Sequence, residues 1–188
     1  MLKSAPRYGP ANEQGLMGYL AGELTERVVS VKLSAILGSR YTLIDGHEPF
    51  TAPNFGEYRG MTPKNLDVVQ IDARTGDVAA IYEVKSTTTD KAEFEVNGQS
   101  GIFMTHAAEL GIPTFLVVVR IDRSISDDIL RKELATGKVD INPKVYLSEV
   151  NHLLETSRIE LYGSDQFRVE GRKFLVSGVP KTLESCHY

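Results

Sequence analysis

Apolar residues follow helical spacing in the first part of the chain and form strand-like runs after it. Helical spacing from Gly15 to Leu37 predicts a first helix, and Gly38 is suited to ending it. Runs rich in β-branched and apolar residues predict three strands, over Arg40–Asp45, Asn65–Asp72 and Val78–Ser86. The connection 46–64 contains prolines and glycines, so we expect it to be irregular.

The middle of the chain predicts a second helix and a central strand. Asn97 is a suitable N-cap for a helix that runs to Leu110, before Gly111. Its predicted buried face consists of Ile102, Phe103, Ala107 and Leu110. The apolar run Thr114–Ile121 predicts a strand that is buried on both faces. Weaker patterns predict an extended piece at Phe94–Val96, a helix over Asp127–Ala135, a strand over Lys144–Leu147, a helix over Ser148–Thr156 and a hairpin of Phe167–Val169 with Lys173–Val176.

Composition and charge narrow the class of protein. The 188 residues are 41% hydrophobic and 24% charged, which is ordinary for a globular protein, so we expect a single domain. Because no apolar stretch can cross a membrane and the first residues lack a signal-peptide core, we expect no membrane contact and a cytoplasmic location. The single cysteine excludes a disulfide framework. The net charge of −4 argues against non-specific wrapping of nucleic acid but allows local phosphate contacts.

The strongest chemical signal is the pair Glu83 and Lys85 at the end of the third predicted strand. Because side chains alternate along a strand, the two point to the same face. A three-residue hairpin loop closed by Ala73 and Asp77 would connect this strand to the preceding one. That register sets Asp67 directly opposite Glu83, with Cβ atoms about 5 Å apart. Two carboxylates this close repel unless one is protonated or a cation lies between them. The spacing therefore predicts a divalent-metal site with a lysine beside it.

Ordinary explanations exist for the same residue types. Glu-x-Lys on a strand is common on solvated faces, where such ion pairs contribute little to stability. On the first helix, Glu26 interrupts an apolar stripe and needs a partner, whereas Glu23 can form a surface pair with Arg27. The sequence leaves open which of these two carboxylates is a site residue.

Other chemistries have little support in the sequence. The histidines lack the spacing of zinc ligands, and we interpret each as a surface or capping residue. They are His47, His106, His152 and His187. The segment Gly98–Gly101 lacks the full nucleophile-elbow pattern. The C-terminal hairpin has a group of basic residues that we expect to be mainly solvated: Arg168, Arg172, Lys173 and Lys181.

The pattern as a whole resembles the PD-(D/E)XK nuclease superfamily. The likeness covers about residues 15–121, with Asp67 on the second strand and Glu83-x-Lys85 on the third; Leu66 stands where the family motif has proline. The resemblance implies an α/β fold of the restriction-endonuclease-like type, in which helices flank a mixed central sheet. Its αβββαβ core would cover about residues 15–121, and a C-terminal α+β extension would cover about residues 122–188.

The resemblance also implies roles for individual residues. The ligands of Mg²⁺ or Mn²⁺ would be Asp67, Glu83, the Val84 carbonyl and Glu26. Among them, Glu26 fits best the carboxylate that many family members have on the first helix. Lys85 would be catalytic and, with Ser86 and Gln99, would contact the substrate.

Two functions follow as expectations. The first is a metal-dependent endonuclease of the restriction or repair type that hydrolyses DNA phosphodiester bonds; a homodimer is compatible with cutting both strands of a duplex. The second is a non-catalytic DNA-binding or assembly subunit on the same fold. The choice between DNA and RNA, and between internal and end cutting, stays open.

Overall fold

The structure, a computed structural model, describes residues 13–96, 98–121, 151–153 and 155–183, with the backbone alone over residues 13–21. The helices are α1 (Glu13–Leu37) and α2 (Ser100–Glu109), with a 3-10 turn at Gly38–Arg40. The strands are β1 (Tyr41–Gly46), β2 (Leu66–Asp72), β3 (Val78–Thr87), β4 (Glu93–Glu95), β5 (Thr114–Arg120), β6 (Arg158–Gly163), β7 (Phe167–Glu170) and β8 (Lys173–Val176). Residues 151–153 and 155–156 are also helical. Within these described ranges, none of the helices has both the length and the apolar character needed to cross a membrane.

Five strands form a mixed central sheet in the order β1-β2-β3-β5-β6. β1, β2 and β3 form an antiparallel meander, β5 runs parallel to β3, and β6 runs antiparallel to β5. Parallel neighbours need a long crossover connection, and α2 lies within the one that joins β3 to β5. A second, smaller sheet has the order β4-β8-β7. The predicted α/β class, with a mixed sheet flanked by helices, is confirmed.

The two helices pack on opposite faces of the central sheet. α1 buries Leu24, Val28, Val29 and Leu33 in one apolar cluster, together with alternate residues of β3 and β5. The intervening residues of those strands form a second cluster with Phe103, Met104 and Ala107 of α2. Phe94 and Phe174 bring the small sheet against this second cluster. As predicted, β5 is buried on both faces.

Most predicted elements are found within two residues of their expected bounds. α1 ends at Leu37, where Gly38 adopts a φ of 65° that favours glycine. The three strands of the meander, the irregular connection 47–65 and the C-terminal hairpin are also confirmed. Of the weaker predictions, Asp127–Ala135 and Lys144–Leu147 lie outside the described residues.

The prediction for α2 was wrong in its start and in part of its buried face. α2 begins at Ser100, with Gln99 as its N-cap; Asn97 lies outside the described residues. The buried positions are Ser100, Gly101, Phe103, Met104 and Ala107. Because Ser100 packs against the sheet, the buried stripe runs through positions 100, 103, 104 and 107. Ile102 and Leu110, which were expected to be buried, are therefore 38% and 48% exposed.

β6 was not predicted from the sequence. This strand follows the helical residues 151–153 and 155–156 and forms an edge of the central sheet, so the C-terminal part of the chain completes that sheet. Glu160, in the interior of this strand, is buried, and a search for apolar runs does not predict a buried strand that contains a glutamate. Ion pairs compensate the burial, because Glu160 lies 2.8 Å from Arg120 of β5 and 2.8 Å from Arg158.

Candidate active site

The antiparallel pairing of β2 with β3 brings the two strand carboxylates together. Val68 pairs with Tyr82 and Val69 with Ile81, and one further step in this register sets Asp67 across from Glu83. The loop was expected to close between Ala73 and Asp77. Instead, the Asp72 N–H donates to the Asp77 carbonyl, and an irregularity after Gln70 absorbs one residue of β3. The register at the site is the expected one, although the loop is closed differently.

Glu83 is fully buried, with 1% of its side chain exposed. Its Oε1 accepts hydrogen bonds from Lys85 Nζ at 2.7 Å and from Ser100 Oγ at 3.0 Å. Its Oε2 is buried and has no hydrogen-bond partner among the described residues. Burial, followed by the charge of Asp67, raises the pKa of Glu83 to about 7. One oxygen of this carboxylate is thus held by two hydrogen bonds, while the other is buried without any.

Asp67 is anchored by the main chain of the neighbouring strand. The Val84 N–H donates to Asp67 Oδ2 at 2.6 Å, which fixes the carboxylate beside Glu83. Burial raises the pKa of Asp67 to about 6, and the charge of Glu26 acts in the same direction. Two carboxyl groups with raised pKa values therefore share this corner of the sheet.

Lys85 supplies the positive charge beside them. Burial alone would lower the pKa of Lys85, but the charges of Glu83 and Asp67 outweigh it and raise that pKa. The ammonium group stays protonated at neutral pH and keeps 20% of its side chain exposed toward the cavity. It is close enough to Glu83 to hold it and exposed enough to meet a ligand.

The first helix contributes Glu26 from the other side, together with a histidine that the sequence did not indicate. His47 Nε2 lies 3.1 Å from Glu26 Oε2 and 3.9 Å from Asp67 Oδ1. The potential ligand atoms of these three residues all lie within 4.8 Å of one another. The hydrogen bond to Glu26 is the main cause that raises the pKa of His47 to about 9. The interpretation of His47 as a surface or capping residue was therefore wrong.

The close packing of β1 on β2 determines the position of His47 beside Asp67. Gly46, the residue before it, pairs with Leu66 at the start of β2. A Cβ atom at position 46 would lie 2.7 Å from the Leu66 carbonyl oxygen and 2.8 Å from a methyl group of Val69. Only glycine permits this close approach of β1 to β2, which sets His47 beside Asp67. If the strand pairing had been predicted for β1 and β2 as well as for β2 and β3, it would have indicated that His47 lies near Asp67.

The other expected site residues have mixed outcomes. Ser86, Val84 and Glu23 line the cavity with the central residues, and no ion pair between Glu23 and Arg27 is present among the described side chains. Gln99 was expected to contact substrate, yet its Oε1 accepts a hydrogen bond from Asn65 at 2.6 Å and it does not line the cavity. Its neighbour Ser100, which the sequence did not single out, contacts Glu83 instead.

His106 also differs from its interpretation as a surface residue. Its ring stacks on Tyr58 at 4.3 Å between centroids, within the connection that precedes β2. His152 is exposed, as expected, and His187 lies outside the described residues. Neither His106 nor His152 lines the cavity.

All the central side chains open into one cavity of about 720 Å³. α1, the ends of β2 and β3, and the small sheet line it: Gly22, Glu23, Glu26, His47, Asp67, Glu83, Val84, Lys85, Ser86, Lys91, Glu93, Phe94, Glu95, Val96 and Lys173. Carboxylates outnumber lysines among these residues. The cavity is therefore suited to a bound cation. Such a cation would also offset the negative charge of the carboxylates, so that an anionic ligand could bind.

Comparisons with protein-family models, with curated proteins and with solved structures give no match. A functional interpretation therefore has to start from the geometry of the site.

The donor set fits a divalent cation. Asp67 and Glu26 offer carboxylate oxygens within reach of each other, and the unpartnered Glu83 Oε2 is a buried oxygen that lacks compensation. Hard oxygen donors of this kind suit Mg²⁺ and Mn²⁺. The hydrogen bond between Val84 and Asp67 is donated by the Val84 N–H, so the Val84 carbonyl as a ligand remains a prediction.

Proposed function

We propose that this protein is a metal-dependent nuclease that hydrolyses DNA phosphodiester bonds. The main support is the arrangement of Asp67 and Glu83 on adjacent strands, with Lys85 bonded to Glu83 and Glu26 arriving from α1 in one cavity. Apart from β4, which belongs to the small sheet, the order of elements from α1 to β5 is the αβββαβ order that the nuclease resemblance implies. On this basis we propose that the fold is of the restriction-endonuclease-like type.

Each residue has a role in this proposal. Asp67, Glu83 and Glu26 would hold Mg²⁺ or Mn²⁺, which supplies Lewis acidity for the phosphoryl oxygen and for an attacking water. Lys85 stabilises the negative charge that develops on the phosphate in the transition state. Ser100 keeps one oxygen of Glu83 in place, so that the other remains directed to a ligand. Ser86 lies along the same wall and is available to the substrate backbone.

The substitution Lys85→Met tests the proposal. Methionine keeps the buried stem of the side chain and removes its charge, so the fold should survive while cleavage falls about 100-fold to 1000-fold. The full chain would be incubated with supercoiled plasmid and with labelled single-stranded, duplex and branched DNA, in Mg²⁺, Mn²⁺ or EDTA. Lys181→Ala is a matched control, because Lys181 is exposed and its observed contacts are made by the backbone.

The outcomes separate the candidate functions. Metal-dependent cleavage that is lost in Lys85→Met and kept in Lys181→Ala supports the nuclease, and the preferred substrate identifies its specificity. Cleavage that persists in Lys85→Met contradicts the assigned role of that residue. DNA binding without cleavage of any substrate would favour the non-catalytic subunit. The homodimer and the cytoplasmic location remain predictions.

A further inference from the structure

His47 occupies a position that a ligand to the same cation would need. Donor atoms about 2.1 Å from one ion lie about 3 Å apart in neighbouring positions and about 4.2 Å apart in opposite ones. The observed distances from His47 Nε2, 3.1 Å to Glu26 and 3.9 Å to Asp67, fall in this range. A hydrogen bond to Glu26 alone would not require His47 to approach Asp67 as well.

The position of the imidazole is built into the fold. The His47 N–H donates to Asp45 Oδ1 at 2.9 Å, and its carbonyl accepts from the Asn65 N–H at 3.3 Å. Asn65 adopts a left-handed φ of 58°, which is uncommon for a residue with a side chain. The main chain is therefore fixed on both sides of the ring, as expected for a ligand that is positioned before the ion binds.

Glu83 provides an independent indication that a cation belongs here. Its Oε2 is buried and lacks a hydrogen-bond partner among the described residues, and Glu83 lines the same cavity as Asp67, Glu26 and His47. A buried carboxylate oxygen without a partner is costly, and a cation held by Asp67, Glu26 and His47 would satisfy it.

From these contacts we propose that His47 is a metal ligand and that the site prefers Mn²⁺, a nitrogen-accepting transition metal, to Mg²⁺ and Ca²⁺. Mg²⁺ and Ca²⁺ are bound almost entirely by oxygen, whereas imidazole suits the transition metals. The inference deepens the metal site of the proposed function but does not require that the protein cleaves DNA.

The test measures binding and not cleavage. Isothermal titration of the full chain with Mn²⁺, Mg²⁺ and Ca²⁺ should give the tightest binding for Mn²⁺. Electron spin-echo envelope modulation of bound Mn²⁺ should show coupling to a histidine nitrogen. His47→Asn replaces the nitrogen donor by an amide oxygen, and we expect it to remove this coupling and lower the Mn²⁺ affinity about 10-fold to 100-fold. The Mg²⁺ affinity should change by less than about threefold, because an oxygen donor remains.

His152→Asn serves as the control, because His152 is exposed and does not line the cavity. It should bind both ions as the unmodified chain does, and thermal unfolding would verify that both variants fold. Mn²⁺ binding without nitrogen coupling, unchanged in His47→Asn, would overturn the inference and leave the nuclease proposal standing. Nitrogen coupling without cleavage of any DNA would uphold the inference while the nuclease proposal fails. If neither Mn²⁺ nor Mg²⁺ binds, both are wrong.

Discussion

At the scale of single residues, the two carboxylate oxygens of Glu83 differ in their hydrogen bonding. Two donors, Lys85 and Ser100, converge on one oxygen, while the other is buried without a partner. A side chain selected only for stability would not remain this way, since a well-packed apolar residue removes the desolvation cost. The cost makes sense if the open oxygen serves a ligand, because binding sites commonly reduce stability for the sake of function.

Ser100→Ala tests whether the hydroxyl positions Glu83. Removing this buried donor should reduce the free energy of unfolding by about 1–2 kcal/mol, because Glu83 Oε1 loses one of its two hydrogen bonds. The Mn²⁺ affinity should fall about 10-fold, since the ligand is held less firmly. Urea unfolding and metal titration measure the two effects. Ser34→Ala, at an exposed position of α1, should leave both unchanged, and equal behaviour of the two variants would refute the role of Ser100.

Sequence reasoning found Glu26 of α1 and the strand residues of the site, and it missed Ser100 and His47 for a physical reason. Asp67, Glu83 and Lys85 are linked by strand alternation and hairpin register, which are rules of local geometry. Ser100 reaches the site only because α2 packs across the sheet, and His47 only because β1 approaches β2 closely. The resemblance pointed to Gln99 at the start of α2, but its side chain accepts a hydrogen bond from Asn65, and the next residue, Ser100, contacts Glu83 instead.

At the scale of elements, the junction of β1 and β2 determines where His47 lies. The two strands touch at Gly46 and Leu66, and the missing Cβ allows that contact. The long connection 47–65 leaves from this point and returns to it, because the Asn65 N–H bonds back to the His47 carbonyl. The junction thus links the fold of the meander to the geometry of the site.

Gly46→Ala should disturb both the sheet and the site. The new methyl group would overlap the Leu66 carbonyl oxygen, and relief of this overlap should cost about 1–3 kcal/mol of stability. Because His47 moves with the end of β1, the Mn²⁺ affinity should also fall. Gly56→Ala is the matched control, since a Cβ there meets nothing within 4 Å, and it should change stability by less than about 0.5 kcal/mol. Unchanged unfolding and metal titration in Gly46→Ala would contradict the steric argument.

Elements with a plain apolar pattern could be predicted, and those fixed by tertiary contacts could not. β5 is continuous in apolar residues and was found with its burial on both faces. β6 was not predicted because its buried Glu160 depends on an ion pair with Arg120 of β5, which neighbours β6 in the sheet but is about 40 residues away in the sequence. The buried face of α2 was misplaced because its stripe begins at a serine that bonds to Glu83.

At the scale of the whole molecule, the site joins parts that are far apart in the chain. α1, the meander and the small sheet β4-β8-β7 all line the cavity, and Lys173 of β8 is paired with Glu93 of β4 at 2.7 Å. The order of elements predicted the central sheet, but hairpin propensity alone could not place the small sheet over the cavity. That placement depends on Phe94 and Phe174, which bury themselves in the cluster beneath α2.

The balance of charges across the molecule predicts how stability depends on pH when no metal is bound. The pKa values of Asp67, Glu83 and His47 are raised to about 6, 7 and 9, so the stability they contribute is lost as the pH rises through those values. For Glu83, a rise from the ordinary 4.5 to about 7 corresponds to about 3 kcal/mol. The hydrogen bond from the Arg74 N–H lowers the pKa of Asp72. For Glu160, burial acts to raise the pKa, but the hydrogen bond from Arg120 and its neighbours outweigh it and lower that pKa, so the contribution of both groups is lost only in acid. Stability without metal should therefore be greatest at about pH 4.5, where Glu83 begins to lose its contribution.

Urea unfolding between pH 4 and pH 9 in EDTA would measure this dependence, and saturating Mn²⁺ should move the maximum toward neutral pH. Metal binding requires deprotonated ligands and adds about 2.7 kcal/mol at a concentration 100 times the dissociation constant. In Glu83→Gln, the loss of stability between about pH 4.5 and 7 should shrink by about 3 kcal/mol, because the group that titrates is gone. A maximum between pH 7 and pH 8 in EDTA would mean that these carboxylates ionise as they do in the unfolded chain. In that case burial would not be the main cause that sets the pKa values of Glu83 and Asp67.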